Sequence, residues 1–216
     1  MEKAGRSRCL QFILETLQLS EAGDFLTQYR ILGIDPGSKI TGFCILAAPY
    51  STQNGLGMFQ PSLIKVIDAG VIRPHYKLSH SERAGQLHNT LHQIVLEQRP
   101  HVCVIERAFT GINPNSALRL GETRGALISA VRRLNIDVEE LSPTQIKKIT
   151  TGQGHATKEQ IARAMQMLLG FERGSLPFDV TDAMAIALSH ALSAPPKRQY
   201  RRPSNSSSKK SDACAT

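Results

Sequence analysis

The sequence predicts an α/β domain, a mixed sheet with helices on both faces. Three observations carry this. An antiparallel hairpin opens the apolar part of the chain, short continuous apolar strands then alternate with segments of helical spacing, and the helix starts bear cap residues and prolines.

In order, "RILGID" and "ITGFCILA" are strands joined by a Pro-Gly-Ser turn at Pro36, and they read as a hairpin. "LIKVIDAGVI" reads as a third strand, and residues 79 to 98 carry apolar residues at helical spacing. "HVCVIE" is a short continuous apolar strand. Asn113-Pro114 puts a cap residue and a proline at the start of a helix running to about Leu134. "IDVEEL" is a further strand, and Ser142-Pro143 starts another helix in the same way. Thr157 to Gln160 has the Thr-x-x-Gln form of a capping box before "IARAMQMLL". The last helix starts near Asp179 and runs through "AMAIALSHAL".

At 216 residues the chain is long enough for one well-cored domain with tails. Residues 1 to 29 read as an amphipathic extension with helical spacing of Leu10, Ile13, Leu14 and Leu17, which either packs on the domain or is a misassigned start. Residues 194 to 216 are rich in Pro, Ser and basic side chains, and so few apolar groups cannot offset ordering entropy; this tail is predicted to be disordered. The domain lies between, over residues 30 to 193.

The formal charge of +8 points to an acidic partner, with nucleic acid first. Six basic residues between Lys197 and Lys210 against Asp212 place +5 of that charge in the tail, leaving +3 elsewhere. A basic groove on the folded part must therefore be local. The four cysteines, Cys9, Cys44, Cys103 and Cys214, are scattered without metal-ligand spacing, which predicts reduced thiols, no zinc site and a cytoplasmic location. No apolar run approaches the ~20 residues a bilayer span needs, so no membrane association is expected. The run after Lys3, Arg6 and Arg8 is too short and too often broken for a signal peptide.

The chemistry rests on four carboxylates. Asp35 ends the first strand of the hairpin and Glu106 ends "VCVIE". If these strands are parallel neighbours they lie ~4.8 Å apart, and both acids emerge at the carboxyl edge where open α/β sheets place their sites. Asp179 and Asp182, three apart at a helix start, share a face. A helix packed across that edge brings all four together, and such a cluster must be neutralised by protons or hard cations; oxygen ligands favour Mg²⁺ or Mn²⁺. Two such ions ~3.5 to 4 Å apart form a site that cleaves phosphodiesters. Singly, each acid also has a plainer role: Asp35 as a turn residue before Pro-Gly, Glu106 as a solvated strand end, Asp179 as a helix cap and Asp182 as a first-turn acid favoured by the macrodipole.

Three separated motifs, "ILGIDPGSKITGFCIL", "VIERAFTGINPNSALRLGETRGAL" and "DVTDAMAIALSH", resemble in order and spacing the RuvC family of Holliday-junction resolvases. The resemblance covers residues 30 to about 193. It implies a ribonuclease-H-like fold, a homodimer, and a Mg²⁺-dependent endonuclease using two ions per active site. Such an enzyme nicks two opposed strands of a four-way DNA junction and leaves 5′-phosphate ends. It further implies a junction branch-migration motor complex as partner.

By the same resemblance Asp35, Glu106, Asp179 and Asp182 are the metal-binding and catalytic acids. Lys158 and Lys147 match basic residues near the scissile phosphate, Lys158 counting among the catalytic groups; otherwise both are surface lysines. Phe109 is a candidate for stacking on unpaired bases at the junction centre, against a plain core role. Ala117, Gly121 and Gly125 form a small-residue stripe that is either an internal packing face or, as the resemblance favours, the dimer interface. Arg119 and Arg124 are candidate phosphate contacts or simply surface charge.

Readings of other classes remain. A sugar-kinase or actin-type ATPase also uses an Asp-x-Gly turn after its first strand, but "VIDAGV" lacks the following Gly-Thr that would let backbone amides cradle a phosphate. A related nuclease acting on RNA and an inactive junction-binding protein are the others; the presence of all four acids argues against inactivity.

Overall fold

The first two long strands, β2 (Phe25–Asp35) and β3 (Thr41–Ser51), pair antiparallel from Thr27↔Tyr50 to Asp35↔Gly42. The turn between them is knitted by Thr41, whose buried hydroxyl donates to the Gly37 carbonyl at 2.8 Å. In the computed structural model the described residues are 17–19, 25–51, 58–59, 61–107, 113–171 and 176–193.

Around this hairpin the sheet grows in both directions, in the order β4-β3-β2-β6-β7, with β4 at Met58–Phe59, β6 at Val102–Glu106 and β7 at Asp137–Leu141. β6 joins β2 in parallel, with Ile34 opposite Ile105, and β7 joins β6 in parallel. β5 (Lys65–Ile72) pairs antiparallel with β3, and β1 (Leu17–Leu19) pairs antiparallel with the start of β2. The expected mixed sheet is thus present.

Side chains alternate across a strand, and both faces of β2 are covered. Ile31 belongs to one core with Cys44, Leu46 and Val104, against α3 (Pro143–Thr151), α4 (Lys158–Leu169) and α5 (Phe178–Ser193). Leu32 and Ile34 belong to the other, with Ile45, Cys103 and Ile105, against α1 (His80–Gln98) and α2 (Pro114–Arg132). Burial on both faces explains why these strands read as continuous apolar runs. Cys44 and Cys103 are free thiols buried in the two cores, and burial pushes both up.

The helix starts follow their caps. Ser79, Ser142 and Thr157 each accept from the backbone three residues on, with Glu82, Gln145 and Gln160 returning the bond, and Asn113 caps α2 ahead of Pro114. α3 and α4 end at Gly152 and Gly170, both left-handed with φ 77° and 71°.

One expectation is corrected, and one short strand was not foreseen. The segment 1–29 is not uniformly a helical extension: Leu17–Leu19 is a strand, and β2 begins at Phe25, five residues before the expected start. Edge pairing with β2 satisfies backbone groups of Leu17–Leu19. The short strand β4 was also not legible, being only two residues long. Among the described residues no helix is long and apolar enough to cross a membrane. Cys9, Cys214 and the whole basic tail lie outside the described residues.

Candidate active site

Ile31, Gly33 and Asp35 share one face of β2 by the two-residue period, as do Val102, Val104 and Glu106 on β6. Ile31, Val102 and Val104 lie in the core shared with α5, so Asp35 and Glu106 belong to that same face, at the carboxyl ends of adjacent parallel strands. α5 is buried from Ala183 to Ala191, apolar except for Ser189 and His190 in that stretch, as suits a helix lodged between a sheet and two other helices.

Two glycines let α5 lie directly on the strands. A methyl group on Gly33 would strike the carbonyl of Ala183 and the side chain of Ala187, and one on Gly42 would strike the carbonyl of Asp179. The missing side chains therefore set the height of Asp179 and Asp182 above the sheet edge.

The electrostatics show that the acids feel one another. Burial, then the negative charges of Asp182 and Glu106 and more weakly Asp179, push the Asp35 carboxyl from 3.8 to about 7, with Lys158 opposing. Burial and Asp182 raise Glu106 against the pull of Lys158 and Lys147. Burial also raises Asp182, although the Lys158 ammonium donates to its Oδ2 at 3.0 Å and opposes the rise. For Lys158 burial acts downward, but Asp182, Asp35 and Asp179 together hold the ammonium above its usual range.

A cluster in which burial and mutual repulsion push one carboxyl up to about 7 is short of positive charge. Its donors are all carboxylate oxygens, so its chemistry fits a hard divalent ion. Among the described residues no three acidic, histidine or cysteine side chains stand close enough, as placed, to hold one ion together. Joint ligation therefore asks the side chains to turn toward one point, and Asp182 to release Lys158.

The other candidates fall in different places. Lys147 on α3 is half-buried and acts on Glu106 and Asp182 through its charge. Arg119 is exposed on α2. Arg124 differs from an open phosphate contact: its Nε donates to the Glu106 carbonyl at 3.2 Å and its guanidinium pairs with Glu140 at 2.6 Å. That side chain ties α2 to the ends of β6 and β7, a role that spacing on one helix does not reveal. Gly121 and Gly125 are exposed, with open space where a side chain would stand, so within the chain this stripe is no packing face. Phe109 lies outside the described residues.

The chain is 37% identical over 162 residues to a crossover junction endodeoxyribonuclease RuvC from Pelodictyon phaeoclathratiforme, covering 75% of this chain and 79% of that one. It is 41% identical to the RuvC of Hydrogenovibrio crunogenus, covering 74% and 86% of the two chains. Among solved structures, the T. thermophilus RuvC in complex with Holliday junction substrate superposes with a TM-score of 0.67 at 26% identity, over 76% of this chain and 93% of that one. A yeast mitochondrial Holliday junction resolvase shares the fold, with a TM-score of 0.51 at 19% identity over 76% and 78% of the two chains. The ribonuclease-H-like fold expected from the motifs is the fold of these neighbours. The family model for crossover junction endodeoxyribonuclease RuvC matches residues 31–190, a range that contains all four carboxylates of the site, and the chain belongs to that family.

Proposed function

We propose that this chain resolves four-way DNA junctions by hydrolysing one phosphodiester in each of two opposed strands. The observation that carries the reading is the coupled carboxylate cluster at the carboxyl edge of β2 and β6, roofed by α5 and flanked by Lys158.

Asp35, Glu106 and Asp182, with Asp179 beside them, are the residues that would hold Mg²⁺, or Mn²⁺ in its place, two ions per site; the metal's contribution is to activate water and to stabilise the leaving oxygen. Asp35 must be ionised to act as a ligand. Its rise to about 7 in the metal-free protein means that protons compete at that oxygen. Lys158 heads α4, where the helix's own N-terminal amides favour an anion. Once it leaves Asp182, its ammonium is placed to steady the charge that grows on the scissile phosphate. Lys147 adds positive charge on the same side. The products carry 5′-phosphate and 3′-hydroxyl ends, with no covalent intermediate.

Paired nicks need two sites related by symmetry, which a homodimer supplies. The exposed stripe of Gly121 and Gly125 beside Leu118, itself 64% exposed, supports α2 as the surface joining two copies. Action on junctions in the cytoplasm, in partnership with a branch-migration motor complex, belongs to the same reading. Phe109 is retained as a stacking residue at the junction centre and Arg119 as a phosphate contact.

The test is to incubate the purified protein with a synthetic mobile four-way junction and with linear duplex of the same sequence, with Mg²⁺ and then with EDTA. Cutting confined to the junction and dependent on Mg²⁺ is expected. Equal cutting of both DNAs, or undiminished cutting by Asp35→Asn, would overturn the reading.

A further inference from the structure

Across the sheet edge that carries the acids, Asp35, Gly42 and Val71 lie in one row of the pairing, on β2, β3 and β5 in turn. β5 ends at Ile72, so the next residues leave the sheet at the same edge as Asp35, two strands away, or roughly 10 Å at ~4.8 Å per strand. These residues are "RPHYKLS", 73 to 79.

The segment is built as a presented turn. Pro74 is buried and anchors its start. The Leu78 amide donates to the His75 carbonyl at 3.2 Å, closing a turn with Tyr76 and Lys77 at its tip. The His75 amide donates to Gln86 of α1 at 3.0 Å, which fixes the turn to the first turns of that helix. On this support Tyr76 is 78% exposed, well beyond the exposure of an aromatic serving a core. Its ring rests on His75 at 4.9 Å between centroids and 29° between planes, and the Lys77 ammonium lies 5.7 Å from its centroid. Arg73 and Lys77 are exposed and make no ion pair among the described residues. Lys39 is exposed in the β2–β3 turn, which leaves the sheet at the same edge.

A rigid, exposed aromatic with cations on either side is the arrangement that holds a nucleic-acid strand, the ring stacking on a base and the cations meeting phosphates. We infer that the Arg73 to Lys77 turn is a second DNA contact, outside the catalytic cluster, which grips the strand entering the active-site edge with Tyr76 stacked on a base. At ~3.4 Å of rise per nucleotide, 10 Å places this contact on the order of three nucleotides from the cut phosphate. The inference rests on the junction-cleaving reading for the identity of its ligand.

The test measures affinity for a synthetic four-way junction in EDTA, where no strand is cut. Tyr76→Ala should weaken binding ~5- to 100-fold, and Tyr76→Phe should bind like the parent, because a phenyl face stacks equally well. Arg73→Ala with Lys77→Ala should lower the slope of log affinity against log salt by about 2. Hydroxyl-radical footprinting should lose protection about three nucleotides from the cut in Tyr76→Ala. The inference is overturned if Tyr76→Ala binds like the parent, if Tyr76→Phe is as weak as Tyr76→Ala, or if either alanine variant sediments as a smaller species, which would make the turn a contact between copies. A parent protein that neither binds nor cuts junctions defeats the functional reading itself. Parent activity with silent turn variants defeats this inference alone.

Discussion

Gly42 on β3 lies so close beneath Asp179 that a single methyl group would collide with the Asp179 carbonyl. The first turn of α5, which carries Asp179 and Asp182, is therefore seated by the absence of a side chain on the neighbouring strand.

Gly42→Ala should lift that turn and misplace both carboxylates. The expected outcome is a fall in cleavage of tenfold or more, with a stability loss of about 1 to 3 kcal/mol as for other overpacked sites. Single-turnover cleavage beside thermal unfolding checks it; an active variant with normal stability would show that α5 can shift without cost.

Lys158→Ala should cut the cleavage rate about 100-fold while changing junction affinity far less, since the ammonium is assigned to the charge that grows in the transition state. Lys158 also restrains the upward shifts of Asp182, Asp35 and Glu106. Its loss should therefore move the acid limb of the pH–rate profile to higher pH. A rate unchanged at saturating DNA would remove Lys158 from the mechanism.

In metal-free protein, Asp35 is raised to about 7 when folded, against 3.8 as its ordinary value. The folded state then binds more protons than the unfolded state between those values, so stability falls as pH rises from about 4 to about 7. Asp35→Asn should be indistinguishable in stability from the parent near pH 4 and more stable by roughly 2 kcal/mol above pH 7, after allowing for solvent screening of a half-buried group. Melting temperatures in EDTA across that range give the answer.

Divalent ions should reverse that trend. Binding of Mg²⁺ or Mn²⁺ must displace the proton from Asp35, so affinity should fall as pH drops below about 7, with proton release on binding. Titration calorimetry in buffers of different ionisation enthalpy measures the released proton directly, and EDTA should abolish cleavage.

The two arginines of α2 should behave differently. Arg119→Ala should weaken junction binding and reduce the salt slope by about 1. Arg124→Ala should leave the salt slope alone and lower the cleavage rate, because Arg124 holds the Glu106 carbonyl and Glu140. Equal salt slopes for the two variants would contradict the placement of Arg124.

Much of this chain was legible before its structure. The continuous apolar run of Ile31, Leu32 and Ile34 is the mark of a strand buried on two faces, and the Ser, Thr and Asn caps marked three helix starts, because these signals depend only on neighbours within a few residues. Asp35 and Glu106 stood out as charges at the ends of apolar strands, and their motifs supplied the family.

What the sequence could not decide depends on residues far apart along the chain. That Leu17–Leu19 pairs with Phe25 onward, against its helical spacing, was settled by an available strand edge. That Arg124 turns inward was settled by the positions of Glu106 and Glu140. The rise of Asp35 to about 7, the hold of Lys158 on Asp182, and the arrival of the Tyr76 turn at the same edge all arise from the fold bringing segments distant in sequence together. Charge interaction and burial act through space, so local sequence could name the carboxylates, while only the packed sheet and α5 could make them one site.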